Sequence, residues 1–110
     1  MNRQRRKDLL TVIDSLKKIK NAGNTPSFEA FENLARLVQS SCDEERDAFL
    51  NMPENLMFSD RYADMELNVY DLEDAVTDLE SIAEELKKGG VLNPKTIDDI
   101  IASITKAIDR

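Results

Sequence analysis

The chain has no histidine, no tryptophan, a single cysteine, and only three glycines and three prolines. Each shortage removes a class of chemistry. Without histidine, neither a Ser-His nor a Cys-His pairing is available to activate a nucleophile. The lone Cys42 allows no intrachain disulfide and no cysteine cluster for zinc, and is expected to be a small buried apolar residue. There is no Gly-rich phosphate loop, no calcium-loop pattern and no Glu-x-x-His pair of the kind that di-metal bundles use. No apolar run approaches the roughly 20 residues of a membrane helix. The basic opening Met1-Asn2-Arg3-Gln4-Arg5-Arg6-Lys7 does not continue as a signal peptide, because Asp8, Asp14, Lys17 and Lys18 interrupt any apolar region after it. The expectation is a cytoplasmic protein without enzymatic activity, metal, cofactor or membrane partner.

The residues that are present point to helices. The 110 residues suffice for one domain, 1–110, and 41% of them are apolar. Aromatics make up only 5%, so Leu, Ile, Val and Met must fill the core. A charged fraction of 34% suits long exposed helices. Apolar periodicity predicts helices over about 3–22, 26–50, 62–88 and 94–108. The first carries Leu9, Val12, Ile13, Leu16 and Ile19 on one face and stops at Asn21-Ala22-Gly23-Asn24. The second opens at Thr25-Pro26, a cap and then a proline suited to the first turn, and must end by Pro53.

The third helix repeats Met65, Val69, Leu72, Val76, Leu79, Ala83 and Leu86 at spacings of four and three, the a/d pattern of a coiled-coil-like helix. Ala75 and Ile82 widen this stripe. The fourth, with Thr96 and Asp99 as its cap signal, carries Ile97, Ile100, Ile101, Ile104 and Ile108. That stripe can dock on the chain's own bundle or on a second copy, so a homodimer stays open. The connection from Asn51 to Arg61 is apolar for a loop, with Met52, Leu56, Met57 and Phe58. It is expected to pack on the bundle, with a helical turn beginning at Pro53. The fold expected is all-α, an antiparallel bundle of three to four helices with one long acidic member.

The net charge of −7 is unevenly placed. Residues 1–20 hold seven Lys/Arg against two Asp, whereas residues 43–86 hold fifteen Asp/Glu against Arg46 and Arg61. On the third helix Asp64, Asp71, Asp78 and Glu85 share one heptad position, Glu66, Glu73 and Glu80 share another, and Asp74 and Glu84 lie between. Surface helices ordinarily mix both signs, yet no Lys or Arg lies between Asp64 and Glu85. Such a rod attracts a basic surface and speeds encounter with it. The strongest basic grooves belong to nucleic-acid enzymes, where phosphate contacts dominate affinity. The basic N-terminus has three readings: folding against the chain's own acidic helix, a solvated end, or phosphate contact. Direct nucleic-acid binding is not expected, because the basic run is short and no aromatics interleave with it.

The stretch Ala48-Phe49-Leu50-Asn51-Met52-Pro53-Glu54-Asn55-Leu56, continued by Ser59-Asp60-Arg61-Tyr62, joins two long helices. With the opening Asn2 to Lys7 and the Leu72-Glu73-Asp74-Ala75 and Leu79-Glu80 run, it resembles small acidic helical accessory proteins of phages, prophages and mobile elements of Firmicutes. Ala48, Phe49, Asn51, Pro53, Glu54, Leu56 and Ser59 carry the resemblance, which spans roughly the first 20 residues and then 43–86. It implies a bacterial host's cytoplasm and a setting that includes anti-CRISPR-type inhibitors. Two functions are expected on these grounds. The first is an inhibitor-like binding module that offers Asp64, Glu66, Asp71, Glu73, Asp74, Asp78, Glu80, Glu84 and Glu85 to a basic groove, mimicking nucleic acid. The second is a structural or assembly protein that self-associates or docks helices through the isoleucine stripe. A small regulator of the antitoxin kind would need a DNA-binding half, and none is visible in the sequence.

Overall fold

Side-chain caps mark the start of three of the four helices. Asn2 Oδ1 accepts the Arg5 N–H at 2.8 Å, Ser59 Oγ accepts the Tyr62 N–H at 3.2 Å, and Asn93 Oδ1 accepts the Lys95 N–H at 3.0 Å. The helices that result in this computed structural model are α1 (Arg3–Ala22), α2 (Phe28–Leu50), α3 (Asp60–Lys87) and α4 (Pro94–Asp109). Residues 1–23 and 26–110 are described. Thr25, the expected cap of the second helix, lies outside them. Ser27 occupies the cap position of α2, so Pro26 precedes the helix instead of sitting in its first turn. The cap of α4 is Asn93 and not Thr96, with Pro94 at the first helical position, where its missing N–H leaves nothing unsatisfied. A glycine turn ends α3. Gly89 adopts φ +83°, and Gly90 N–H donates to the Glu85 carbonyl at 2.8 Å. A Cβ on Gly90 would lie 2.9 Å from that carbonyl oxygen, so the position tolerates no side chain.

Neighbouring helices run antiparallel, as the cross-helix pairs show. Arg5 at the start of α1 meets Glu45 near the end of α2, and Lys20 at the end of α1 meets Asp98 at the start of α4. Arg46 of α2 meets Glu73 of α3, and Arg110 beyond α4 meets Asp71 of α3. Both α1 and α3 pack against α2 and α4. This is a four-helix bundle, drawn out to 50 × 22 × 20 Å.

The core takes residues from all four helices. Leu9, Val12 and Leu16 of α1 and Phe31 and Val38 of α2 are fully buried with Leu72 and Leu79 of α3. The α4 stripe joins them. Ile97, Ile100 and Ile104 are fully buried, and Ile101 and Ile108 pack partly buried against the same cluster. Ile97, Ile100 and Ile104 therefore offer no surface to a second copy, because the chain's own core occupies them, whereas Ile101 and Ile108 stay partly exposed at its edge. Full burial of an aliphatic side chain is worth about 1.5–3 kcal/mol, which holds a helix as short as α4 in place.

No residue between Glu45 and Met65 is buried. Here the two longest helices, α2 and α3, run on past the core as a hairpin. A 3₁₀ turn over Glu54–Leu56, preceded by Pro53, closes it. The helical turn expected at Pro53 is present, but the connection does not pack on the bundle. Phe58 is 98% exposed, and Leu50 and Leu56 also face outward. The corner is fixed instead by the stacking of Phe49 on Tyr62, with ring centroids 4.4 Å apart, together with the Ser59 cap.

Candidate partner-binding surface

The long reach of α3 comes from its seam. Met65, Val69, Leu72, Val76, Leu79 and Ala83 are all buried, as are Ala75 and Ile82. With that face committed to the core, the nine acids must lie on the flanks or on the back of the helix. They divide into two groups. Glu66, Asp74, Glu80, Glu84 and Glu85 are exposed, whereas Asp64, Asp71, Glu73 and Asp78 are half-buried at the margins. The nine acids expected to meet a partner are thus not equally exposed, because the helices on either side cover four of them in part.

Three of the four half-buried acids lie on the α4 side. Asp71 is paired with Arg110. Asp64 lines a polar depression together with Arg6, Arg61 and Arg110, which offset its charge. Below it the buried Asn68 amide, oriented so that its nitrogen meets acceptors, donates to the carbonyls of Asp64 and Ala107 and ties α3 to the end of α4. Asp78 has no cation partner among the described residues. Burial pushes its carboxyl above the ordinary value, and the charges of Asp74 and Asp99 push it further the same way. The fourth acid, Glu73, lies on the α2 side, where Arg46 holds it and also bonds Asp43 at 3.1 Å. That contact raises the Arg46 pKa, first through the hydrogen bond to Glu73.

The exposed acids keep their charge uncompensated by comparison. Among the described residues only Glu84 has a cation, Lys88 at 3.9 Å, a long and solvated pair. The basic N-terminus does not neutralise them. Arg5 turns to α2, bonding Glu45 at 3.2 Å and approaching Glu44 at 3.7 Å. Glu45 is wholly buried, with Oε1 free of any hydrogen bond among the described residues. Cys42, fully buried, directs its thiol at the Val69 carbonyl, and burial raises its pKa to about 11. It stays protonated at neutral pH and acts as a packing residue.

Sequence periodicity misses a second component of this surface. Leu67 and Tyr70 fall off the seam of α3 and are 46% and 54% exposed. They sit three residues apart on one side of the helix. Beside them, between α2 and α3, is a notch of about 220 Å³ whose floor is Val69, with Phe49, Leu50 and Tyr70 as walls. Glu66, Glu73 and Arg46 stand at its rim. The one signal in the sequence is that Leu67 and Tyr70 break the a/d register at positions that are otherwise polar. A larger groove of about 400 Å³ runs along the same pair of helices past Glu32, Gln39, Asp43 and Glu80, with Arg36 also lining it. Among the described residues no group of His, Cys, Asp and Glu has metal-holding geometry, and no helix is long and apolar enough to cross a membrane. No family model matches the chain, and neither the curated proteins nor the solved structures contain a match to it.

Proposed function

We propose that this chain is an acidic protein-binding module whose α3 docks on a basic surface of a nucleic-acid-binding enzyme, in the manner of a phage-borne inhibitor that stands in for nucleic acid. One observation carries the reading: Glu66, Asp74, Glu80, Glu84 and Glu85 are all exposed on one helix, and Lys88 is the only cation paired with any of them among the described residues. These five span about 28 Å at ~1.5 Å per residue, a length over which a basic groove meets several charges at once. Mutual repulsion of such acids opposes folding, and a cationic partner relieves it. The role is occupancy without catalysis, inside a bacterial cytoplasm.

The assembly reading keeps a narrower basis. Ile97, Ile100 and Ile104 of its isoleucine stripe are buried within the chain, so self-association or docking to a larger complex would draw on the partly exposed Ile101 and Ile108 or on the exposed apolar residues of the hairpin.

The test is affinity capture from a Firmicute lysate at low salt, with elution by a salt gradient. A nucleic-acid enzyme is expected to elute as salt rises, and to be lost with the triple variant Asp74→Lys, Glu80→Lys, Glu84→Lys. Capture that withstands both high salt and the charge reversal would overturn the acidic-surface reading.

A further inference from the structure

The exposed acids explain attraction but not the apolar side chains beside them. Leu50 is 66% exposed, and with Tyr70 it walls a notch whose floor is the buried Val69. Leu67 continues the apolar patch along α3, one turn from Tyr70. Every residue lining the notch belongs to α2 or α3, so neither α1 nor α4 covers it. Glu66 and Glu73 border the notch, and Asp74 lies one turn beyond Tyr70. Arg46 is engaged with Glu73 and Asp43, which leaves the rim net negative.

We propose that this notch receives an aliphatic side chain from a basic amphipathic helix of the partner, with Lys or Arg one turn to either side meeting Glu66 and Asp74. The inference rests on the acidic-surface reading and adds the anchor that charge alone lacks. The notch volume, about 220 Å³, has room for one Leu, Ile or Met side chain. Buried apolar anchors ringed by polar contacts are where binding energy concentrates, and helix-in-groove docking is the recurring way such anchors are delivered. The rim also decides against other occupants. A second copy placed on this face about a two-fold axis would bring Glu66 and Asp74 against their own counterparts. An anionic lipid surface would meet the same acids.

The experiment uses the full chain, ¹⁵N-labelled, and two synthetic probe helices of equal positive charge. One has Lys on its polar face and Leu on the other; its counterpart has Ser in place of Leu. The Leu probe is expected to bind about tenfold more tightly than the Ser probe, shifting the amides of Leu50, Val69 and Tyr70. Tyr70→Ser should reduce its affinity to that of the Ser probe. Tyr70 is half exposed, so an unchanged melting temperature shows that the variant is folded. Equal binding of both probes, with shifts confined to Asp74 through Glu85, would overturn the anchor and leave the acidic-surface reading standing. If neither probe binds at low salt, both readings fall. Leu-probe binding that Tyr70→Ser and Leu50→Ser leave unchanged places the anchor elsewhere and also overturns the inference.

Discussion

Two apolar stretches of this chain have opposite fates. In α4, Ile97, Ile100 and Ile104 vanish into the core. In the corner between α2 and α3, Leu50, Leu56 and Phe58 stay in water, Phe58 almost completely. Hydrophobicity does not separate them. The difference is repetition and neighbours. Isoleucines spaced three and four apart stay on one face over several turns, and that face meets α1 and α3 together. The corner residues lie at the last position of α2, on the short 3₁₀ turn and just after it, beyond the ends of α1 and α4, where no third element covers them. An apolar residue is buried only if the topology supplies a surface at its level of the rod. Where it does not, the residue becomes available to something else.

The sharpest way to break this comparison is to put a charge in each stretch. Ile100→Asp with Ile104→Asp places two carboxylates in a dry core and should unfold the chain, a loss above about 5 kcal/mol by the measure of buried unpaired charge. Phe58→Asp should change stability by less than about 0.5 kcal/mol, as at other exposed sites. Chemical denaturation monitored by circular dichroism measures both. A folded double-aspartate variant would mean that α4 is not part of the core.

A smaller effect is expected where the core is already polar. Arg5→Ala removes the only ion-pair partner of the buried Glu45 among the described residues, and stranding one member of such a pair costs about 3–5 kcal/mol. The same denaturation measurement reads it, and Arg5→Lys should recover part of the loss. If Arg5→Ala is neutral, Glu45 is reached by water or satisfied in another way.

The smallest effect concerns the α3–α4 margin. Asp78 has a carboxyl raised above its ordinary 3.8, so the folded state holds its proton more tightly than the unfolded one. The stability this lends is fully present below the unfolded pKa and is lost as pH rises through the raised folded value. Asp78→Asn should therefore stabilise the chain at neutral pH, by less than about 0.5 kcal/mol at so solvated a site, and flatten the stability profile across the acid limb. Thermal melts from pH 3 upward, in steps through about pH 6, test the sign; a destabilised variant at neutral pH contradicts it.

Much of the fold is legible in the sequence because it rests on local, repeated signals. The spacing of Met65 through Ala83 identifies the buried seam of α3, and Asn21 to Gly23 marks the end of α1. The cap positions of α2 and α4 differ from those expected because Thr, Ser and Asn are near-equivalent caps, and only backbone geometry chooses among them. The acidic surface is half legible. Charge counting finds all nine acids, but it cannot see that Arg110 takes Asp71 or that Arg46 takes Glu73, since those partners lie 39 and 27 residues away. The notch is not legible at all, because it needs Leu50 and Tyr70 side by side, and that proximity exists only once the hairpin has closed.

The sequence by itself determined four amphipathic helices, their approximate ends and the concentration of negative charge in residues 43–86, because periodicity, caps and composition act over a few neighbouring residues. The tertiary structure alone decided that α4 completes the chain's own core, that only five of the nine acids remain exposed, and that the α2–α3 corner stands clear of the bundle with Leu50, Leu56 and Phe58 uncovered. Each of those outcomes depends on which helices are neighbours and where each one stops along the rod, and no residue's immediate sequence carries that information.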